Sequence, residues 1–295
     1  MNNELFYPPF GFLAPEPEFA AYNSSRVVIL PVPYDATATA KAGSREGPSA
    51  IIHASQDLEP FDLTLGFDTT RYGIHTLPDL APQSDSPSAM VDRVEAAVSG
   101  FLGDGKFVVM LGGEHTVSIG AVRAHLRRYP DLSVLALDAH ADVRDEYLDS
   151  KYNHACPLRR IAESCPVVQV GMRSASPDQL EFIRERGLTF LTPAAYRGLE
   201  NGPADVARKL SSDVYVNIDA DAFDPSQMAA VGTPEPGGLL WEEVIELLTT
   251  VAEGRRIVGF DIVELAPDYG PPACATLAAR LAQRVIGLAL GPPEG

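Results

Sequence analysis

The segment from Asp138 to Asp142 places aspartate, histidine and aspartate side chains at alternate positions, with alanines between them. The apolar residues 135–137 precede it, which indicates the end of a β-strand. Side chains at i and i+2 of a strand point to the same face, so Asp138 and His140 can converge, and Asp142 can join them if the chain turns. Carboxylate and imidazole together suit a divalent cation such as Mn²⁺. Taken alone, the segment is also consistent with a solvated strand end with helix-capping aspartates.

Two further segments place similar side chains after apolar runs. His115 follows residues 107–111 and two glycines that let the backbone turn sharply, and Asp219 and Asp221 follow residues 214–218. Four aspartates brought together would repel one another and lose hydration unless cations lie between them. We therefore predict two divalent ions ~3.5–4 Å apart that share a bridging water or hydroxide, with Mn²⁺ favoured over a closed structural zinc site. The predicted metal ligands are His115, Asp138, His140, Asp142, Asp219 and Asp221.

Apolar strand-like runs alternate with helical segments along the whole chain. Because the strands are continuously apolar, they are typical of a parallel sheet covered on both faces. The pattern predicts an α/β protein, a three-layer α/β/α fold with a mostly parallel sheet of about eight strands. The predicted strands are 26–30, 72–75, 107–111, 133–138, 167–171, 188–191, 214–219 and 257–262. The predicted helices are 48–56, 88–102, 117–129, 177–186, 203–210, 241–253 and about 273–286.

Composition limits the possible partners and location. The chain has 295 residues and a formal net charge of −17, which argues against nucleic-acid binding and mildly favours a cationic small molecule, although acidity also aids solubility. Three widely spaced cysteines do not form a disulfide framework, and no uninterrupted apolar run reaches the ~18–20 residues that span a bilayer. We expect one cytoplasmic domain over residues 1–295, with 1–24 as an N-terminal extension, and no membrane partner.

These motifs, in this order, resemble the ureohydrolase superfamily of arginases and agmatinases, and most closely agmatinase. The resemblance extends from about Val27 to the C-terminal helix, nearly the whole chain. The residues that carry it are Gly112-Gly113-Glu114-His115, Asp138-Ala139-His140-Ala141-Asp142, Asn217-Ile218-Asp219-Ala220-Asp221 with Asp224-Pro225, Gly232-Thr233-Pro234-Glu235-Pro236-Gly237-Gly238, and Phe260-Asp261-Ile262-Val263-Glu264.

The resemblance implies roles for the site residues. One Mn²⁺ is then held by His115, Asp138, Asp142 and Asp219, and a second by Asp138, His140, Asp219 and Asp221, with Asp138 and Asp219 bridging. In the family, a hydroxide between the ions attacks the guanidinium carbon and urea leaves. The implied catalytic residues are His154, Asp142 and Glu264. His154 shuttles a proton or assists the departing amine, and Glu264 binds the substrate guanidinium.

The resemblance also implies a small cationic guanidine substrate, agmatine, cleaved to putrescine and urea. Loop 143–152 lacks the Asn/Thr/Ser-rich pattern with which arginases bind an amino acid, and its net acidity suits an amine tail. Aminopropylagmatine, guanidinobutyrate and other guanidino compounds are alternatives, and a non-catalytic metal-binding protein is a third hypothesis. Two departures from agmatinases, Ala230-Val231 and Lys41, leave the shape and charge of the substrate loops open. A homo-oligomer, trimeric or hexameric, is expected.

Overall fold

Continuous apolar runs form the strands of one central sheet. The structure is a computed structural model that describes residues 10–293. The strands in chain order are β1 (Val27–Val32), β2 (Phe61–Asp62), β3 (Phe67–Asp68), β4 (Ile74–Thr76), β5 (Phe107–Gly112), β6 (Ser133–Leu137), β7 (Val167–Val170), β8 (Thr189–Leu191), β9 (Asp213–Asp219) and β10 (Arg256–Val263).

The central sheet has eight strands in the order β4-β1-β5-β10-β9-β6-β7-β8, and every pair is parallel. This confirms the predicted sheet. The last two strands of the chain, β9 and β10, lie between β5 and β6. The carboxyl ends of β5, β10, β9 and β6 are therefore neighbours at one edge, which is where ligand sites form in open parallel sheets.

Helices cover both faces of the sheet, which confirms the predicted three layers. The helices are α1 (Pro17–Ala20), α2 (Gly47–Ser55), α3 (Pro87–Gly103), α4 (Ser118–Arg128), α5 (Pro157–Ala162), α6 (Pro177–Glu185), α7 (Pro193–Arg197), α8 (Pro203–Ala207), α9 (Trp241–Gly254) and α10 (Ala273–Leu290). Alternate strand residues face opposite layers: Val27 and Ile29 belong to the core cluster that includes residues of α2, α8, α9 and α10, whereas Val28 and Leu30 belong to the cluster that includes residues of α3 to α6.

The sequence pattern missed the shortest elements. The hairpin of β2 and β3 and the short helices α1, α5 and α7 are too brief to show a periodic pattern. Some ends also differ: β6 stops at Leu137 rather than at residue 138, and α8 stops at Ala207 rather than at 210. Helix α10 continues to Leu290, where Gly291 adopts a φ of 70° and ends it.

The described part of the predicted N-terminal extension packs on the sheet. Phe12 is fully buried, its backbone N–H donates to Thr76 Oγ1 (2.8 Å), and the N–H of Leu13 donates to Ser55 Oγ (2.9 Å). Residues 1–9 of the extension lie outside the described residues, and its boundary at residue 24 stays a prediction.

Helix α10 is long and apolar enough to cross a membrane by length and composition alone. In the fold, 61% of its residues are buried, and it packs against α2, α9 and β10. Arg284 within it pairs with Asp62 of the β2–β3 hairpin (Nε to Oδ2, 2.7 Å). This is the placement of a core helix.

His125 is a fully buried histidine of α4 whose neighbours are aromatic and backbone groups. Its ring lies 4.7 Å from the Tyr215 ring and 6.4 Å from the Tyr129 ring, and Nδ1 contacts Ala121 O at 2.8 Å. Burial lowers the pKa of His125 to about 4. The folded protein therefore holds this ring neutral, while the unfolded chain protonates it near its ordinary value.

This difference predicts an acid-dependent loss of stability. The contribution of His125 is complete above pH 6.5 and declines as the pH falls from 6.5 towards 4, because the unfolded state then binds the extra proton. Between pH 7 and 5 the loss is roughly 2 kcal/mol. Urea unfolding of metal-free protein should show a shallower pH dependence in His125→Gln. The exposed histidine variant His53→Gln is the control and should match the wild type; equal slopes for all three would contradict the prediction.

Candidate metal centre

The loops that follow β5, β6 and β9 bring histidine and aspartate side chains together at the carboxyl edge of the sheet. Ligand-type atoms of His115, Asp138 and Asp219 lie within 4.8 Å of one another, and so do those of Asp138, His140 and Asp221. Asp138 belongs to both groups. Two adjoining cation sites that share one carboxylate are the arrangement required for a binuclear centre.

Asp138 and His140 converge through a turn rather than through strand pleating. Strand β6 ends at Leu137, and the backbone N–H of His140 donates to Asp138 Oδ1 at 2.6 Å, which closes a local turn. Asp142 then takes a φ of 46°, in the left-handed region that a non-glycine residue rarely adopts. This turn directs all three side chains of the segment towards the site.

A buried hydrogen-bond chain fixes the orientation of His115. Asn217 Nδ2 donates to Asp261 Oδ1 (2.7 Å) and to Ser118 Oγ (3.1 Å), so its amide oxygen must face the histidine. His115 Nε2 then donates to Asn217 Oδ1 (2.9 Å). The lone pair of Nδ1 is left facing the carboxylates, as a metal-ligating imidazole requires.

The carboxylates around His115 Nδ1 show why a cation fits this site. His115 Nδ1 lies 3.0 Å from Asp142 Oδ2, 3.3 Å from Asp138 Oδ2 and 3.5 Å from Asp219 Oδ2. Asp138 Oδ2 is buried and has no hydrogen-bond partner among residues 10–293. Burial, and then the neighbouring carboxylates, raise the pKa of Asp138 and Asp219 well above the ordinary range. A divalent cation would satisfy the orphaned oxygen and remove the repulsion.

The second group has its own ion pair. His140 Nδ1 lies 2.8 Å from Asp221 Oδ2, and the backbone N–H of Ala139 donates to Asp221 Oδ1 at 3.0 Å. Although burial opposes the charged ring, the Asp221 carboxylate raises the pKa of His140 to about 9. The proton on His140 thus occupies the position at which a metal ion would bind Nδ1.

His154 and Glu264 lie beside these groups and face each other. His154 Nδ1 is 3.6 Å from Glu264 Oε1, and its Nε2 is 2.8 Å from Thr39 Oγ1. Glu264 follows β10 with a φ of 64°, and its Oε1 accepts a hydrogen bond from the backbone N–H of His115 (2.7 Å). Although burial opposes protonation, Glu264 raises the pKa of His154 to about 9. A pKa of about 9 keeps the His154 ring charged at neutral pH.

These side chains line one cavity of about 340 Å³. Its lining includes four acidic residues, Asp142, Asp219, Asp221 and Glu264. The lining also includes neutral polar residues and one arginine, which are Thr39, Arg144, Tyr147, Ser174, Ser176, Gln179 and Thr233. The cavity can hold a small molecule whose cationic end meets the acidic residues.

Comparison with known proteins identifies the family. The model of the arginase family matches residues 25–287. This chain belongs to the arginase family. The N(1)-aminopropylagmatine ureohydrolase of Thermus thermophilus is 42% identical over 272 residues, which cover 90% of this chain and 91% of that protein. The agmatinase of Pyrococcus horikoshii is 33% identical over 88% of this chain and 91% of its own length. The solved agmatine ureohydrolase of Thermoplasma volcanium superposes with a TM-score of 0.83 at 34% identity, covering 91% of each chain.

Membership of the arginase family confirms the resemblance drawn from the motifs. The chain is a ureohydrolase of the agmatinase type, a hydrolase that acts on guanidino C–N bonds. The individual residue roles stay predictions. The two groups include five of the six predicted ligands, and Asp142 lies beside them at 3.0 Å from His115 Nδ1. Asp138 joins both groups, whereas Asp219 appears only in the first, so its bridging role is carried by the resemblance alone.

The two positions at which this arginase-family chain departs from agmatinases, Lys41 and Ala230-Val231, lie outside the cavity lining. Lys41 Nζ lies 4.8 Å from the centroid of the Tyr269 ring, and Lys41 is not among the residues that line the cavity. Ala230 is buried, and its carbonyl accepts from the N–H of Ala266 (2.8 Å), while Val231 pairs with Leu265. Both alanine and valine thus brace the segment that follows Glu264.

Loop 143–152 contributes differently from what its net acidity suggested. Arg144 and Tyr147 line the cavity, with the guanidinium 4.9 Å from the Tyr147 ring centroid. Asp145 instead pairs with Arg160 (2.6 Å) and Arg159 (3.4 Å), outside the cavity wall. The net acidity of the loop is therefore no guide to the substrate tail, because Arg144 is the charged residue of this loop that lines the cavity.

Several residues that shape the site carried no recognised role in the sequence. Glu114 is buried and accepts hydrogen bonds from the N–H and Oγ1 of Thr37, both at 2.7 Å, while Thr37 Oγ1 accepts from the N–H of His154 (2.9 Å). Burial raises the pKa of Glu114 to about 7. Glu114 and Asn217 lie within two of the motifs quoted from the sequence, and that position was the only signal of a role at the site. Thr37 and Thr39 gave none, because their contacts join residues that lie 77 to 117 positions apart in the chain.

Replacing the shared carboxylate tests the cation site. In metal-free protein, Asp138→Asn removes a buried, poorly compensated acid, so we expect unfolding to require roughly 1–3 kcal/mol more than in the wild type. With Mn²⁺ at 100 to 1,000 times its Kd the wild type should gain about 3–4 kcal/mol, and the variant should lose most of this gain. Thermal unfolding with and without Mn²⁺ measures both effects. Asp131→Asn, an exposed control, should match the wild type, and an unchanged metal gain in Asp138→Asn would contradict the assignment.

Proposed function

We propose that this protein uses Mn²⁺ to hydrolyse the guanidinium group of N(1)-aminopropylagmatine, releasing urea and a triamine. The observation that carries the proposal is one cavity whose lining brings His140, Asp219 and Asp221, members of the two ligand groups, together with His154 and Glu264. The 42% identity to a relative of that name favours this substrate over agmatine. Agmatine, the substrate first expected from the motifs, is the second candidate, favoured by the agmatinase and agmatine ureohydrolase relatives.

Manganese is proposed from the chemistry of the donors. Carboxylate oxygens supplemented by imidazole nitrogens suit Mn²⁺, and the described cysteines, all buried, lie outside both groups. His115, Asp138, Asp142 and Asp219 would hold one ion, and Asp138, His140, Asp219 and Asp221 the other. When bound, such ions supply Lewis-acid activation of water and stabilise negative charge that develops during attack.

Glu264 is suited to orient the substrate guanidinium. Its Oε1 is already fixed by the N–H of His115, and within residues 10–293 Oε2 has no hydrogen-bond partner. A carboxylate held in this way can accept N–H groups of a planar guanidinium and fix the position of its carbon beside the aspartates. The positive φ of Glu264 is a local strain that this positioning requires.

His154 is suited to donate a proton to the departing amine. Its raised pKa of about 9 keeps the ring charged at neutral pH, with Nδ1 directed to Glu264 and Nε2 to Thr39. Collapse of the tetrahedral intermediate to urea requires the amine nitrogen to leave as a neutral or protonated group, and a histidine N–H at the cavity wall supplies that proton.

Arg144 provides a direct test of the sign of the substrate tail. A guanidinium in the cavity lining repels an amine tail and attracts a carboxylate tail. For N(1)-aminopropylagmatine and agmatine, Arg144→Gln should lower KM about two- to fivefold with little change in kcat. For guanidinobutyrate, the same change should raise KM. Lys151→Gln, in the same loop but outside the cavity wall, is the matched control.

Urea release from these three substrates, with Mn²⁺ added, completes this test. We expect kcat/KM to be highest for N(1)-aminopropylagmatine and to fall by at least two orders of magnitude in Glu264→Gln, which keeps the shape but loses the charge. Equal turnover of all three compounds would argue against tail recognition. Two bound Mn²⁺ per chain with no turnover of any of them would instead support a non-catalytic metal-binding protein.

We also propose a homo-oligomeric, cytoplasmic protein. The resemblance to the ureohydrolases supports a trimer or hexamer, and the three free, buried cysteines are typical of a reducing compartment. The acidic charge of −17 supports the absence of a nucleic-acid partner. Light scattering of the purified protein gives the oligomeric state, and a monomer at micromolar concentration would contradict the first part.

A further inference from the structure

Arg173 follows β7 and uses its guanidinium to bind backbone carbonyls. Nη2 donates to the carbonyls of Asp221 (2.8 Å), Phe223 (3.2 Å) and Glu235 (2.8 Å). The other two nitrogens donate to neighbouring carbonyls, which are those of Gly171, Ala222, Glu235 and Pro236, at 3.1 to 3.3 Å. Within residues 10–293, no carboxylate oxygen lies within salt-bridge distance of this guanidinium. One side chain thus joins three separate segments.

Two of these segments carry site residues. The carbonyls of residues 221–223 belong to the turn that presents Asp221 to His140. The carbonyls of Glu235 and Pro236 belong to the loop whose Thr233 lines the cavity. Fixing these carbonyls therefore fixes both a metal-ligand turn and part of the cavity wall.

The backbone of Arg173 is attached to the other half of the same site. Its N–H donates to Ala139 O (2.7 Å), and the N–H of Ala141 donates to Ser174 O (3.0 Å). Ala139 and Ala141 flank His140 in the segment that supplies the shared carboxylate. Arg173 thus links the turn of His140 to the turn of Asp221, the two sides of one candidate cation site.

The contacts require an arginine rather than a positive charge. A planar guanidinium presents five N–H groups in a fixed fork, whereas a lysine ammonium has three donors at one point and cannot reach all of these carbonyls. The charge itself is unhelpful, because a cation near Asp138 and Asp221 repels a metal ion bound between them. A role in holding the backbone accounts for both observations.

We propose that Arg173 is a positioning residue for the metal site formed by Asp138, His140 and Asp221. This inference rests on the proposed metal dependence, and it concerns the geometry of the site rather than the choice of substrate. Loss of the fork loosens Asp221 relative to His140 and weakens binding of the second ion, while the site at His115 keeps its ligands.

Binding of Mn²⁺ alone to the metal-free full chain tests the proposal. Titration calorimetry and metal analysis should show two sites in the wild type. In Arg173→Lys and Arg173→Met, we expect one of the two sites to lose about 10- to 100-fold in affinity and the other site to change little. Arg197→Lys is the matched control, because Arg197 also donates to a carbonyl of the adjoining loop, that of Gly238 (2.9 Å), but lies outside the cavity wall.

The alternative role, neutralising nearby acids, gives opposite results. If charge were the function, Arg173→Lys would bind like the wild type and Arg173→Met would bind Mn²⁺ more tightly; either result overturns the proposal. A second measurement keeps the test decisive if Arg173→Met does not fold. In an Asp221→Asn background, Arg173→Lys should weaken Mn²⁺ binding no further, because the ligand through which it acts is gone. An undiminished effect there would also overturn it.

Enzyme kinetics separates this inference from the proposed function. At saturating Mn²⁺, Arg173→Lys should recover most of its kcat, with the defect confined to the Mn²⁺ concentration that gives half-maximal rate. If the wild type binds two Mn²⁺ but releases no urea, the proposed function fails and the binding test of Arg173 still stands. If the wild type binds a single Mn²⁺ per chain, there is no second site for Arg173 to position, and the inference fails with it.

Discussion

The mutual repulsion of the buried carboxylates around Asp138 is the constraint on which the rest of the site depends. Asp138, Asp219 and Asp221 are almost completely removed from water, and Asp138 Oδ2 has no hydrogen-bond partner among the described residues. Without cations, burial and the neighbouring carboxylates raise the pKa of Asp138 and Asp219, and Asp221 keeps a proton on His140. The energetic cost is met when divalent cations replace those protons.

The surrounding fold is organised to keep these groups from moving apart. The Asn217–Asp261 chain orients His115, the turn after β6 holds Asp138 and His140, and Arg173 ties that turn to Asp221. Asp142 and Glu264 adopt left-handed backbone conformations that only a well-determined neighbourhood sustains. The strained backbone at Asp142 and Glu264 is therefore sustained by the hydrogen bonds around it. The same hydrogen bonds hold together acidic side chains that would otherwise separate.

The cavity combines two kinds of lining residue. Asp142, Asp219, Asp221 and Glu264 supply negative charge, which suits the proposed guanidinium substrate. Arg144 and the neutral polar residues of the lining are the groups proposed to contact the tail. The aspartates and Glu264 lie at or after strand ends, whereas Arg144 lies in a loop, whose direction depends on how that loop folds.

The sequence by itself determined the strand–helix alternation, the parallel sheet and the ligand-type residues, because apolar runs and their polar ends are local patterns. His115, Asp138, His140 and Asp221 stood at predicted strand ends for this reason. Only the tertiary structure decided that those ends are neighbours, since β9 and β10 insert between β5 and β6 and no local pattern encodes strand order. It likewise decided that Arg144 faces the cavity, that Lys41 does not, and that Arg173 binds carbonyls from distant segments. Those outcomes depend on contacts between residues far apart in the chain, which spacing and composition do not record.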